Sequence, residues 1–303
     1  MKECNGFVSV REVALKWNMS ERSVRNYCAE GRVPGAILVG KTWTIPETAK
    51  KPNRKNGIPE TAKSLLDIIK AEKKSRLSGR IYHKIQIEFT YNSNRIEGSS
   101  LTLDQTRYIY ETNTIGTSDG ILNVDDIIET ANHFCCIDMI IDRANTDITE
   151  SLIKHLHLLL KSGTSESRLD WFEVGDYKKL PNEVCGTETT APKDVAVEIK
   201  SLLNSYNNGR EKTFKEILDF HYRFERIHPF QDGNGRVGRL LLFKECLRYG
   251  YVPFIIDENL EHFYYRGLKE WERDEQCLLE ICSIAQNHFK QYLEYFGIEY
   301  VNK

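Results

Sequence analysis

No apolar run in the 303 residues approaches the ~18 that cross a membrane. The opening MKECNGFVSVREV also lacks the basic-then-apolar order of a signal peptide. Both absences point to a cytoplasmic protein with no membrane partner. None of the 8 cysteines (Cys4, Cys28, Cys135, Cys136, Cys185, Cys246, Cys277, Cys282) sits in a CxxC pair or at zinc-finger spacing from a histidine. That excludes a visible metal cage or redox motif and leaves the cysteines as small buried hydrophobes in a reducing compartment. Proline (8) and glycine (19) are too scarce for a collagen-like or low-complexity chain. Net charge is nearly absent too, at −2, but its balance is uneven. Residues 1–56 carry 11 Lys+Arg against 5 Asp+Glu, or +6, so the remainder carries 31 against 39, or −8. A basic head on an acidic body suggests one nucleic-acid-facing module and a second that works elsewhere.

What is present begins with Ser9-Val10-Arg11-Glu12, a capping box that opens a short amphipathic run to Trp17. After the turn Asn18-Met19, Ser20 caps a second predicted helix over Glu21 to Glu30, which Gly31 ends in a left-handed position. Ala36-Val39 and Thr42-Ile45 flank the two-residue turn Gly40-Lys41 and read as a hairpin. Two short helices and a wing make residues 1–50 a small domain of helix-turn-helix pattern. The polar stretch 51–60, broken by Pro and Gly, reads as a linker. Beyond it, apolar residues recur at helical spacing around 64–95, 102–112, 123–143, 149–161, 193–206, 213–227, 236–249, 259–271 and 275–296, so the domain at 61–296 is expected to be nearly all α. Trp171 to Pro192 interrupts the pattern and predicts an irregular or hairpin insertion.

Chemistry concentrates in His228-Pro229-Phe230-Gln231-Asp232-Gly233-Asn234-Gly235-Arg236-Val237-Gly238-Arg239. Pro229 pushes His228 out of helical geometry, so an imidazole marks a helix end. Gly233-Asn234-Gly235 is expected to take positive-φ conformations that turn backbone N–H groups inward, at the positive end of the following helix. That arrangement suits polyphosphate. Arg236 and Arg239 share a helix face and offer guanidinium forks to phosphate oxygens. Asp232 would repel phosphate unless a divalent cation, Mg²⁺ or Mn²⁺, lies between them. His228 can then accept the proton of an attacking hydroxyl. The class implied is metal-assisted transfer of a nucleotide or phosphoryl group to an alcohol.

These residues match the signature His-Pro-Phe-x-(Asp/Glu)-Gly-Asn-Gly-Arg-x-x-Arg of the Fic family at every fixed position. Nine fixed positions arise by chance in such a chain on the order of one time in a billion. Gly175-Asp176-Tyr177-Lys178 and Pro192-Lys193-Asp194-Val195 resemble the family's flap region, and Tyr264-Tyr265 resembles the pair that flanks the adenine. The resemblance spans roughly residues 60–285. It implies an all-α core with a short β-hairpin flap and transfer of AMP from ATP to a protein Ser, Thr or Tyr. It assigns His228 as base, Asp232 as metal ligand, Gly233, Asn234 and Gly235 as phosphate cradle, Arg236 and Arg239 as clamps, and Tyr264 and Tyr265 as nucleotide contacts. Lys178 stands where Arg is common, and Glu272 where some relatives place an adenine-contacting Asn, which leaves base selectivity open.

Ser93-Asn94-Arg95-Ile96-Glu97-Gly98 closes a helix predicted over 81–98, and by itself reads as a C-terminus with Gly98 as its cap. It also resembles the inhibitory pattern (Ser/Thr)-x-x-x-Glu-(Gly/Asn) of autoinhibited Fic proteins, with Ser93 and Glu97 in the fixed places. A Glu97 carboxylate on Arg239 would take the guanidinium meant for phosphate and add a negative charge there. Residues 7–50 resemble winged helix-turn-helix domains of the excisionase and MerR type. That resemblance presents Arg22, Ser23, Arg25 and Asn26 to a major groove, with Lys41 on the wing near phosphate. His155 and His157, two apart on a helix, face different ways and make no metal pair, while His221 is expected to be structural. The reading is an autoinhibited protein adenylyltransferase using ATP, with a target protein that includes itself, duplex DNA as a further partner, and a homo-oligomer left open. Its alternatives are a nucleotide-responsive DNA-binding regulator with little turnover, or a Fic enzyme with another donor or de-AMPylation activity.

Overall fold

The computed structural model describes residues 6–52, 63–116, 121–184 and 187–300, apart from the single positions 18, 30, 41 and 210. It divides into two compact units, Met1–Thr61 and Ala62–Lys303.

In the first unit, β1 (Phe7–Ser9) runs directly into α1 (Val10–Trp17). The junction is the capping box: Ser9 N–H donates to Glu12 Oε2 at 2.7 Å, and Glu12 N–H donates back to Ser9 Oγ at 3.3 Å. Ser20 caps α2 (Glu21–Ala29) by accepting from Ser23 N–H at 3.2 Å, and Gly31 takes φ +67° as its position demands. The expected hairpin is present as β2 (Ile37–Val39) and β3 (Thr42–Pro46), paired Leu38 to Trp43. The strand β1 was not foreseen. It pairs Val8 with Ile45 on the other side of β3, giving the order β1-β3-β2; three residues are too few for an alternation signal. Val10, Val13, Ala14, Trp17, Val24, Cys28, Val33 and Ile45 form its core. Lys41 and most of the stretch 51–60 lie outside the described residues.

The second unit is helical, as the periodicity predicted: α3 (Leu65–Ser75), α4 (Ile81–Ile96), α5 (Leu103–Thr112), α6 (Val124–Asp142), α7 (Glu150–Lys161), α8 (Val195–Tyr206), α9 (Phe214–Ile227), α10 (Asn234–Tyr249), α11 (Glu258–Glu270) and α12 (Glu275–Tyr295). The stretch 64–95 is not continuous. Arg76 in the left-handed region (φ +49°) and Gly79 (φ +66°) separate α3 from α4. Side-chain caps start most of these helices, with full capping boxes at Ser64, Thr102 and Thr213. The insertion at 171–192 contains one short hairpin, β4 (Glu183–Val184) on β5 (Thr187–Glu188), the flap.

The helix α10 is buried along nearly its whole length and packs against α3, α4, α6, α7 and α9. Only a helix wrapped on all sides can hold arginines and a lysine–glutamate pair as core residues, and each must find a partner there. Lys244 and Glu245 find one another at 2.6 Å, and Tyr206 OH donates to Glu245 at 2.9 Å. Two apolar clusters flank α10. One, with Phe89, Ile137, Leu156, Phe224, Phe230 and Leu240, lies toward α4, α6 and α7; the other, with Leu218, Leu242, Tyr264 and Leu278, lies toward α11 and α12. Among the described residues no helix is long and apolar enough to cross a membrane.

Candidate active site

The loop between α9 and α10 brings the sequence-predicted residues together. At its start, His228 ends α9 with φ +51° and ψ +62°, left-handed instead of extended, while its N–H closes the helix on the Phe224 carbonyl at 3.0 Å. A histidine at positive φ is uncommon and carries strain that the surroundings must offset. Those surroundings are closely packed. Phe230 is fully buried and stacks on the His157 ring at 3.9 Å with the planes 2° apart. Asn234 closes the loop by donating to the Phe230 carbonyl and accepting from Phe230 N–H, both at 2.8 Å.

The glycine turn differs from expectation in one respect. Only Gly233 has positive φ, +79°; Asn234 and Gly235 already belong to α10. The cradle is therefore one left-handed residue followed by a helix N-terminus, and the Asn234 side chain is a brace within the loop. A Cβ at Gly235 would collide with the Glu97 carboxylate and come within 2.9 Å of Arg239 Nη1, so the carboxylate lies directly over the first turn of α10.

Glu97 caps α4, followed by Gly98 at φ +90°. Arg239 is 4% exposed. Its Nη2 donates to Glu97 Oε1 at 2.7 Å and to the Ser93 carbonyl at 2.9 Å, and its Nε donates to Ser93 Oγ at 3.0 Å. Burial opposes the Arg239 charge, but the Glu97 carboxylate, with smaller contributions from Tyr264 and Tyr265, raises the guanidinium's pKa. Ser93 and Glu97, one helical turn apart, thus grip one arginine from the same face of α4.

Arg236 and Asp232 belong to a second charged group that the sequence reading missed. Lys161, at the end of α7 and 2% exposed, reaches Asp232 Oδ2 at 2.7 Å, Glu166 Oε2 at 2.6 Å and Glu129. Arg236 pairs with Glu129 as well, and with Asp232 Oδ2 at 3.0 Å. Burial pushes the Asp232 carboxyl up, but Arg236 and Lys161 together hold it down at about 2, so it is ionised at neutral pH. An ionised carboxylate with a side chain 40% exposed fits a hard divalent cation. Nothing local marks Glu129, Lys161 or Glu166: each looks like an ordinary polar position on an amphipathic helix or just after one.

Electrostatics favour a neutral His228. Burial, then the charge of Lys178, lowers it to about 4 against the Glu225 carbonyl, Glu97 and Asp232. Glu225 is pushed up to about 8, chiefly by burial.

Tyr264 requires a correction as a nucleotide contact. It is 1% exposed and its OH bonds His221 Nε2 at 2.6 Å, which makes both of them core. Only Tyr265 remains partly exposed, beside that pair. Glu272 accepts from Tyr222 OH at 2.9 Å. His157 is buried and its Nδ1 accepts from Gly175 N–H at 2.9 Å, fixing the start of the flap segment. In the first unit, Arg22, Ser23, Arg25 and Asn26 lie along α2, where Arg25 pairs with Glu21 at 2.6 Å and Ser23 Oγ meets Ser20 Oγ at 2.9 Å.

The family model for Fic/DOC proteins matches residues 147–245. Protein adenylyltransferase Fic of Aedes aegypti is 31% identical over 186 residues, which are 60% of this chain and 36% of that protein. The protein of the same name from Nematostella vectensis is 28% identical over 198 residues, 63% of this chain and 44% of its own. The chain thus matches less than half the length of these curated relatives. Among solved structures, a Fic-domain-containing signalling protein from Bacteroides thetaiotaomicron superposes with a TM-score of 0.61 at 26% identity, over 76% of this chain and 94% of that one. Fic-1 from C. elegans shares the fold, with a TM-score of 0.59 at 18% identity over 77% and 72% of the two chains. The matched stretch runs from just before α7 into α10, and so takes in the loop that carries His228.

Proposed function

We propose that the protein is an ATP-dependent protein adenylyltransferase that Glu97 holds in an inactive state. The observation that carries this reading is the position of the Glu97 carboxylate, bonded to Arg239 and lying over Gly235 at the N-terminus of α10. A helix N-terminus with two buried arginines is an anion seat, and here a carboxylate already sits in it. The relatives called protein adenylyltransferase support the reaction class.

In that reading a hydroxyl oxygen of the target attacks the α-phosphorus of ATP, the bond to the bridging oxygen of the β-phosphate breaks, and pyrophosphate leaves. His228, neutral at pH 7, takes the hydroxyl proton. Gly233 and the first N–H groups of α10 receive phosphate oxygens, and Arg239 does so once Glu97 withdraws. Asp232 would hold Mg²⁺ or Mn²⁺, which neutralises phosphate charge when bound. Misplacement of the phosphorus by ~1 Å costs about 100-fold in rate, so displaced phosphates suffice for inhibition without exclusion of ATP.

Intact-mass spectrometry after incubation with ATP and Mg²⁺ tests this. Glu97→Gly should gain the mass of one or more AMP groups, wild type far less, and a Glu97→Gly, His228→Ala double variant none. Equal gain by wild type and Glu97→Gly removes the inhibitory role, and no gain in any variant, with or without a protein substrate, removes the transferase reading.

For the N-terminal unit we infer binding of duplex DNA through α2. Its support is the local excess of positive charge and the helix pair, and its measure is the slope of affinity against salt concentration. No binding at low salt refutes it.

A further inference from the structure

Among the described residues, Lys178 is a buried lysine with no carboxylate bonded to it. It is 3% exposed, and its ammonium donates to Asn182 Oδ1 at 2.7 Å, Thr189 Oγ1 at 2.6 Å and the Ile227 carbonyl at 3.4 Å. The other buried lysines among the described residues, Lys161, Lys212 and Lys244, each lie within 4.0 Å of a carboxylate. A buried charge that has only neutral acceptors is costly to keep, and burial lowers the Lys178 pKa to about 8. Three acceptors arranged around one ammonium are evidence of a built contact, and they come from both sides of the flap hairpin and from the end of α9, one residue before His228.

The surrounding bonds act in the same direction. Lys178 N–H donates to the Pro229 carbonyl at 2.9 Å, Leu180 N–H to Gln231 Oε1 at 3.2 Å, and Asn182 Nδ2 to the Phe230 carbonyl at 2.9 Å. The segment from 178 to 182 thus runs along the His228 loop, and the ammonium ties both strands of the hairpin base to it. The charged and polar groups that act most strongly on His228 are Lys178 from this segment, Glu97 from the end of α4, Asp232 from the loop and the Glu225 carbonyl from α9. Of these, only Lys178 carries positive charge.

We propose that Lys178 is a positioning residue of the transfer site: its ammonium clamps the flap hairpin to the helix end that bears His228 and sets a positive charge on the carbonyl of the residue before that imidazole. The proposal rests on the reading of His228 as the base, but both of its readouts are taken on ligand-free protein and so do not depend on AMP transfer.

The test compares wild type, Lys178→Met and Lys178→Arg in the full chain. Amide exchange should accelerate about tenfold or more at the flap in Lys178→Met and stay near wild type in Lys178→Arg. The His228 ring, followed by NMR, should protonate at a higher pH in Lys178→Met and not in Lys178→Arg; a purely structural lysine would leave that titration in place. Unchanged exchange or an unmoved His228 titration in folded Lys178→Met overturns the proposal. Should Lys178→Met fail to fold, Asn182→Ala removes one acceptor and keeps the charge: flap exchange should rise while the His228 titration stays, and unchanged exchange again overturns the clamp.

Discussion

Glu97→Gly should lower the stability of the free protein and raise its affinity for nucleotide, and these opposite signs share one cause. The carboxylate is 23% exposed and Arg239 4%, so their bond lies at the dry edge of the core and not in bulk solvent. A hydrogen bond to a charged group contributes about 1.5–3 kcal/mol; with the carboxylate partly wet, about 2 kcal/mol is a reasonable figure. Arg239 keeps both bonds to Ser93, which limits the loss. For a unit of this size 1 kcal/mol moves Tm by about 2–4 °C, so the variant should melt about 4–8 °C below wild type. The same 2 kcal/mol is a cost that ATP must meet in wild type and not in the variant, worth about 30-fold in Kd. Thermal melts with and without ATP and Mg²⁺, joined to calorimetry with a non-transferable analogue, read both. A variant that melts with wild type, or whose Kd is unchanged, refutes the account of Glu97 as a stand-in for phosphate.

Three further outcomes follow from the geometry. Gly233→Ala and Gly250→Ala both place a side chain at φ near +79°, and each should lose about 1–2 kcal/mol of stability by urea melting; only Gly233→Ala should also weaken ATP binding. Lys161→Met leaves Glu129, Glu166 and Asp232 facing one another, and should destabilise by about 3–5 kcal/mol, whereas Lys161→Arg loses less. His157 and His221 are lowered to about 3 and His228 to about 4, by burial first in each case. A depressed folded pKa gives stability that is complete above the unfolded value near ~6.5 and declines as pH falls toward the folded one. Tm should therefore drop between pH 7 and pH 4 with proton uptake on unfolding, and His221→Phe should flatten that drop.

Helix positions were legible because period and cap act within a few residues: Thr213 and Glu216, or Ser9 and Glu12, close their capping boxes across three positions. The turn from 228 to 233 was legible for the same reason, since its proline and glycine act on adjacent backbone, although His228 is left-handed and only Gly233 of the glycine turn has positive φ. Tyr264 was misread because two neighbouring tyrosines in the middle of a helix look alike until packing buries one of them against His221. The flap could be placed but not docked, because its contacts with Pro229, Phe230 and Gln231 span about fifty positions.

The sequence by itself determined the helical class, the caps, the glycine turn ahead of α10 and the residue types that could serve as base, clamp and inhibitor. Tertiary structure alone decided which charges meet. Glu97 lies 142 positions from Arg239, and Glu129 107 from Arg236. A guanidinium on a helix buried on every side must pair with whatever carboxylate the neighbouring helices bring to it. That choice depends on how α4, α6 and α7 pack around α10, which no local spacing encodes.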